Sequence, residues 1–389
     1  MKVVIILPTY NEKGNIERLI PILEEKVFPQ IKNHKMHILV ADDNSPDGTA
    51  NEVKKLMKEW NNIDLTIGVK HGLGAAYVRG MNYAITKMNA QVMFEMDADL
   101  SHDPGKVPEF LQKIDEGYDM VIGTRYSQGG SIPKNWGFHR KLFSIFGNLL
   151  VRTVLTRFWV HDWTGGFRAL RKEVFLKEKS ELTAFRGYTF QISSLHKAIR
   201  DGFKIAEVPI HFTDRTLGRS KIAPREYILD VLKYIFTARF FELLYSPFIK
   251  YAITGFIGYF INAISLEVFR SYFGFHSGLA GALGAELAII WNFILNNFWA
   301  FSRYKITAPQ KIPLKFFQFN LISIGSVIMI FAVITLGITL FGDTRLVRQL
   351  FLVLVLGFLV IPYSYSMYNV FIWKRWHISF LSKLQKLVG

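Results

Sequence analysis

Beyond about residue 245 the sequence contains four long apolar stretches, 248–269, 278–301, 316–341 and 349–373. A bilayer core about 30 Å thick takes roughly 20 residues of helix, and each stretch reaches that length. Backbone placed in lipid must satisfy its own hydrogen bonds, so these segments are expected as four transmembrane helices. The alternative is a large soluble helical core, and composition speaks against it. Half the residues are hydrophobic, 34 are Phe, and mean hydropathy is +0.19. The first two stretches carry Lys250, Glu267 and Glu286. Intramembrane acids usually face a bundle interior, and Glu286 is expected to do so.

The loops give an orientation. The connection "SRYKITAPQKIPLK" and the tail "KRWHISFLSKLQK" are strongly basic, whereas the connections near Arg270 and "GDTRLVRQ" are shorter and less so. The positive-inside rule then puts the N-terminal half, the middle loop and the C-terminus in the cytoplasm, for a multi-pass protein of the cell membrane. The opening "MKVVIILPTYNE" has one Lys and a short apolar run broken by Pro8. It lacks the length and cleavage region of a signal peptide and reads as a first strand.

Residues 1–220 have a different texture. The β-rich runs "KVVIILP", "MHILVADD", "LTIGV", "QVMFEMD" and "DMVIGTR" alternate with helix-like segments that include 15–33 and 49–60. That alternation predicts an open, mostly parallel α/β sheet. Ligands bind such sheets at the carboxyl ends of strands. Here those ends are "PTYNE", "DDNSPDGT", "DADLSH" and "GTRY". Two further segments, 139–159 and 225–245, mix Phe, Leu, Ile and Trp with Arg and Lys at helical spacing. They fit core-facing amphipathic helices, or helices lying in a membrane interface beside the site.

Asp97 and Asp99 end an apolar run one residue apart. They are open to three readings: metal ligands, a general base, or only the polar end of a strand. A hard cation such as Mg²⁺ or Mn²⁺ takes one or two carboxylates plus substrate phosphates, so the pair suffices in number. Asp42 and Asp43 close a second run, before a Pro-Asp-Gly turn. A calcium loop is excluded there, because Pro46 interrupts the ligand spacing and the final acid is missing. Tyr10 and Glu12 lie at the end of the first run. "HGLGAA" (71–76) matches a dinucleotide fingerprint, but that loop normally follows the first strand, so an oxidoreductase is not expected.

The net charge of +16 implies an anionic partner. Arg125, Arg140, Arg168, Arg215, Arg219 and Lys221 lie in loops or near strand ends, with Ser144 close by. Placed opposite a carboxylate site, they suggest phosphate recognition. Nucleic acid fits poorly, since no reading motif is present. The absence of cysteine excludes disulfides, Cys-zinc sites and thiol catalysis.

In this order, "LPTYNE", "DDNSPDGT", "MDADLSHDP", "GTRY", "GGFRALRKEVF" and "VPIHFTDRTLGRSK" closely resemble the dolichol-phosphate mannosyltransferases of glycosyltransferase family 2. The likeness covers residues 1 to about 225, and the four apolar stretches resemble a GtrA-type membrane domain. The resemblance implies a GT-A catalytic domain over 1–224, an amphipathic interface helix or linker over 225–246, and a transmembrane domain over 247–389. It further implies GDP-mannose as donor, a polyisoprenyl (dolichyl) monophosphate as acceptor, and inversion at the anomeric carbon. By motif, Pro8, Tyr10, Glu12, Val40 and Asp42 would hold the guanosine. Asp97, Ala98 and Asp99 would face ribose and diphosphate, with Mg²⁺ or Mn²⁺ on Asp99 and Asp97. Ser101 stands where some relatives have a longer Gln ligand. Arg125, Arg140 and Ser144 would bind the lipid phosphate, and Arg215 and Lys221 would clamp the nucleotide from a loop.

The chemistry agrees. A phosphate with a second pKa near 6 is already anionic at neutral pH, so a general base is not obligatory, although Asp162 and Asp214 are conceivable ones. Glucosyl transfer from UDP-glucose to the same lipid class is the nearest alternative. A processive polysaccharide synthase is disfavoured by the missing Q-x-x-R-W signature. A non-enzymatic lipid-carrier transporter is disfavoured by Asp97, Asp99 and Arg125.

Overall fold

The computed structural model describes residues 1–182, 187–214 and 225–376. It divides into a unit at Met1–Arg239 and a unit at Phe240–Gly389. In chain order the first unit runs β1 Lys2–Thr9, α1 Lys13–Pro21, β2 Lys35–Asp42, α2 Thr49–Glu59, β3 Ile63–Ile67, α3 Leu73–Thr86 and β4 Val92–Glu95. It continues with α4 Val107–Asp115, β5 Met120–Thr124, α5 Phe138–Val154, β6 Arg168–Arg171, α6 Lys172–Leu182, α7 Gly187–Arg200, β7 Ile205–Pro209 and most of α8 Arg225–Leu244.

Among the described residues the strands form one seven-stranded sheet, ordered β3-β2-β1-β4-β6-β5-β7. Strand β6 is antiparallel to both its neighbours, and the other pairings are parallel. The result is the open, mostly parallel sheet that the runs of residues 1–220 predict and the GT-A-like arrangement that the resemblance implies, with two strands the runs did not reveal. Strand β6 is only "RALR", without β-branched residues, and β7 is the mixed "IAEVP". Both are strands because their neighbours offer unpaired ladder edges, a tertiary reason that local composition does not carry.

Strand β1 is buried from Val3 to Thr9. Side chains alternate across a strand, so Val3, Ile5 and Leu7 enter the core beneath α1, α2 and α4, while Val4 and Ile6 enter the opposite core with Tyr77, Trp163 and Phe190. With both faces covered, the sheet leaves its strand ends for chemistry. The chain passes from β1 through β2 to β3 on one side and returns at β4 on the other. The crevice between the carboxyl ends of β1 and β4 is therefore the topological switch point.

In the second unit, among the described residues, four helices are long and apolar enough to cross a membrane: Pro247–Ser271, Ser277–Ala300, Pro309–Phe341 and Arg345–Ile372. Spans two, three and four share an aromatic cluster in which Phe301 stacks on Trp373 and Phe319 on Tyr368, each at 4.3 Å between centroids. Asn297 Oδ1 accepts hydrogen bonds from the Trp373 indole (3.1 Å) and the Ile306 amide (2.8 Å).

Glu286 departs from expectation, since it is exposed on the outside of this unit. Span two turns Ala280, Gly284 and Ala288 inward at intervals of four. Gly284 lets Asn262 of span one approach so closely that an added Cβ would lie 2.9 Å from its Oδ1. A residue two positions past Gly284 lies about 200° around the helix, on the opposite face.

Gly80 supports a similar close approach in the first unit. A Cβ there would sit 2.6 Å from Ile6 Cγ2, whereas one at Gly147 would meet nothing within 4 Å. Gly80→Val should therefore cost about 1–3 kcal/mol by overpacking α3 against β1, seen as a lower melting midpoint of the detergent-purified protein. Gly147→Ala should be neutral or stabilising. Equal midpoints for Gly80→Val and wild type would contradict this packing.

Candidate active site

The β1 end supplies Pro8, Tyr10 and, at the N-cap of α1, Glu12. Tyr10 is exposed, and the Lys70 ammonium lies 3.3 Å from its ring centroid. Glu12 accepts a 2.6 Å hydrogen bond from Asn15 Nδ2, and its amide donates to Thr49 Oγ1. Asp42 reaches the rim at the end of β2, yet its carboxylate organises the turn. It accepts from Thr9 Oγ1 (2.8 Å), Ser45 N (2.8 Å) and Ser45 Oγ (2.6 Å). Val40 is placed differently, with its side chain wholly inside the core and its backbone in the ladders of β1 and β3. It offers the rim no side chain.

Past β4 the chain turns sharply at Asp97–Ser101, with Leu100 at φ 61°. Asp99 Oδ1 accepts from the Ser101 amide at 3.0 Å, and the Asp97 amide donates to His102 Nδ1 at 3.1 Å. Tyr77 donates its phenol to Asp97 Oδ1 at 3.2 Å. Burial, reinforced by Asp97, holds that phenol well above the usual tyrosine range, so it stays a donor. Ala98 is buried between the two acids. Thr213, after β7, covers the turn: its amide donates to Ser101 O and its hydroxyl to Leu100 O. Ser101 is thereby fully enclosed, and its Oγ has no hydrogen-bond partner among the described residues. Among the described residues no group of three or more His, Asp or Glu is placed to hold a metal. Asp97 and Asp99 thus form at most an incomplete cation site, to be finished by ligand oxygens, as hard divalent cations with phosphates require.

Opposite this turn, the Arg125 guanidinium forks onto Asp162, Nε to Oδ2 at 2.7 Å and Nη2 to Oδ1 at 2.8 Å, and Nη2 also reaches Thr164 Oγ1 at 2.8 Å. Asp162 is fully buried and further accepts from the amides of Arg125, Thr164 and Gly165. Burial alone would raise its carboxyl, but the Arg125 charge and these donors outweigh burial and hold it below the ordinary carboxylate range. Such a group is a poor base, which leaves Asp162 as the anchor of Arg125. Gly165 permits the arrangement, because a Cβ there would lie 2.9 Å from the Gly123 carbonyl oxygen.

Helix α5 supplies Arg140 and Ser144. Ser144 Oγ lies 2.5 Å from the Tyr126 hydroxyl. Arg140 stacks 3.9 Å over Trp136 and pairs with Asp214 at 3.3 Å. Arg140, Ser144, Asn148 and Val151 follow one stripe of the helix. The opposite stripe is apolar and bare, with Phe138 73% and Phe146 59% exposed.

Arg168 does not join the phosphate-facing set. It is fully buried on β6, and its guanidinium donates to the carbonyls of Gly165, Gln191 and Trp163. Arg215, Arg219 and Lys221 lie outside the described residues. Sequence reading missed Lys70, Tyr77 and the anchoring role of Asp162. The last is separated from Arg125 by 37 residues, and only the antiparallel β6 excursion brings the two together.

The matching family models are described as glycosyl transferase family 2, over residues 4–177, and as the GtrA/DPMS transmembrane domain, over residues 250–373. Polyprenol monophosphomannose synthase of Mycolicibacterium smegmatis is 39% identical over 229 residues, 57% of this chain and 81% of the relative. Dolichol-phosphate mannosyltransferase of Pyrococcus furiosus is 33% identical over 302 residues, 77% of this chain and 81% of the relative. A crystal structure of glucosyl-3-phosphoglycerate synthase from Mycobacterium tuberculosis superposes with a TM-score of 0.42 at 19% identity, covering 60% of this chain and 79% of that one.

The Asp162–Arg125 pair yields a stability prediction. Asp162→Asn leaves a buried guanidinium without its counter-charge, at a cost of about 3–5 kcal/mol. The folded carboxyl sits below its unfolded value of about 3.9. The pair's contribution is therefore complete above that pH and fades only as pH falls through the depressed folded value. Melting midpoints of wild type and variant should differ by a constant gap across the neutral range. A gap that closes between about pH 5 and 8 would contradict the assignment.

Proposed function

The chain belongs to glycosyl transferase family 2, and from that premise we propose that it moves mannose from GDP-mannose to a polyisoprenyl monophosphate at a membrane surface. One observation carries the acceptor class. The stripe of α5 that bears Arg140 and Ser144 faces the Arg125 neighbourhood, while the other stripe of the same helix is an exposed row of Phe and Leu. A lipid whose charged end is a phosphate and whose body is hydrocarbon matches both stripes. The names of both relatives, a polyprenol monophosphomannose synthase and a dolichol-phosphate mannosyltransferase, support the same class and the sugar. The guanosine nucleotide rests on the motif pattern at Pro8, Tyr10, Glu12 and Asp42. Of these, Asp42 acts through the turn it braces, and Val40 contributes only backbone.

Mg²⁺ or Mn²⁺ fits at Asp99 and Asp97. Among the described residues the pair is short of a full ligand set, as a site shared with a diphosphate must be, and the Ser101 amide braces Asp99 beside it. When bound, the cation supplies charge to stabilise the departing diphosphate. This chain's own residues do the rest. Arg125, fixed by Asp162, and Arg140 with Ser144 hold the acceptor phosphate so that one anionic oxygen faces the anomeric carbon. No residue need remove a proton, in keeping with the poor basicity of Asp162. Arg215 and Lys221 are proposed to close on the nucleotide. By the positive-inside rule, the basic loop between spans two and three supports assigning the active site to the cytoplasmic face of the cell membrane.

Purified full-length protein incubated with labelled GDP-mannose or UDP-glucose, a polyprenyl phosphate and Mg²⁺ or Mn²⁺ tests this reading. Mannolipid from GDP-mannose alone is expected, with chelation of the metal stopping turnover. Glucolipid alone would overturn the donor, and no lipid product from either would overturn the acceptor class. Asp99→Ala should lower kcat by at least about 100-fold, the scale of losing an electrostatic stabiliser of the transition state. Near-wild-type turnover would remove Asp99 from the mechanism.

A further inference from the structure

We propose that Asn148 and Thr164 form a positioning relay that ties the lipid-facing helix α5 to the guanidinium of Arg125. The inference rests on the reading that Arg125 meets the acceptor phosphate. Asn148 is buried, and all its hydrogen-bonding groups are directed. Its Nδ2 donates to Ser144 O one turn back (3.0 Å) and to Thr164 Oγ1 (3.3 Å), while its Oδ1 accepts from the Trp163 amide (2.7 Å). The Thr164 hydroxyl is equally committed. It accepts from Arg125 Nη2 (2.8 Å) and Asn148, and it donates to Asp162 Oδ1 (3.4 Å). A hydroxyl has one hydrogen and two lone pairs, so none of its capacity is left for other partners.

A continuous path of hydrogen bonds thus runs from the α5 backbone to the charge of Arg125. The same helix turn carries Ser144, itself 2.5 Å from Tyr126 in the residue after Arg125. The path therefore holds Arg125 and Ser144 in one relation to each other. Solvated side chains at 148 and 164 would leave α5 tied to the Arg125 loop only by packing and the Ser144–Tyr126 contact.

Thr164→Val, isosteric but without the hydroxyl, and Thr164→Ser, which keeps it, test the relay, with Asn148→Leu as a second break. Initial rates are measured on the full-length protein in vesicles containing polyprenyl phosphate, and GDP affinity is measured separately by calorimetry. Thr164→Val should raise the acceptor KM about tenfold, the order lost when one charge-assisted hydrogen bond to the phosphate is weakened. Donor KM and GDP affinity should stay at wild-type values, and Thr164→Ser should restore the acceptor KM. Wild-type acceptor kinetics in Thr164→Val, or a loss of GDP affinity as large as the rise in acceptor KM, would overturn the relay while the proposed reaction stands. Absence of transfer by wild type would instead overturn the proposed reaction, and the relay with it. Should Asn148→Leu fail to fold, the Thr164 pair decides alone.

Discussion

A parallel strand covered on both faces has no place for a polar group except its end. That constraint governs the first unit. Strand β1 is buried from Val3 to Thr9, and helices cover the sheet on either side, so the acids of β2 and β4 and the arginine after β5 all emerge along one rim. The rim opens where the strand order reverses, between β1 and β4. Close backbone approaches tighten it. Gly165 lies against the Gly123 carbonyl, and a Cβ on Gly166 would come 4.0 Å from Asp97 Oδ2. The loop that anchors Arg125 through Asp162 thus borders the acidic turn as well, and basic and acidic halves of the site share one piece of chain.

The rim positions were legible because apolar runs ending in Asp, Asn, Arg or Gly are local features. Asp97, Asp99 and Arg125 were found that way, Ser144 by its place beside Arg140 in "HRKLFS", and the family resemblance added their expected roles. Partnerships were not legible. Arg168 was grouped with the phosphate-facing cations on charge alone, but a guanidinium can also satisfy three buried carbonyls, and it does so here. Asp42 looked like a ligand to the nucleotide, and its spacing gave no sign that its carboxylate also accepts from Thr9 and Ser45. Val40 shows the same limit, since a motif position does not say whether side chain or backbone faces a ligand. Strand β6 escaped detection because its strand state comes from two neighbouring ladders, and four residues without β-branching carry no signal of their own.

In the membrane-spanning unit the hydropathy pattern located all four spans, the third starting about two helical turns earlier than expected, because length and apolarity are what a bilayer demands. It could not assign faces. Glu286 was expected inside, but small residues at 280, 284 and 288 take the contact face and turn the acid outward. In helix α5 the pattern served better, since its polar and apolar stripes are both visible in sequence. The structure added the relay through Asn148 that no spacing rule encodes.

The central claim is a direct displacement at the anomeric carbon by a lipid phosphate oxygen, with arginines positioning and no covalent intermediate on the protein. The configuration of the product tests it most directly. NMR of the mannolipid formed by purified protein from the α-linked donor should show the β-mannosyl phosphate, the outcome of a single inversion. An α-mannosyl phosphate would mean retention, hence two displacements or a front-side path, and would contradict the account.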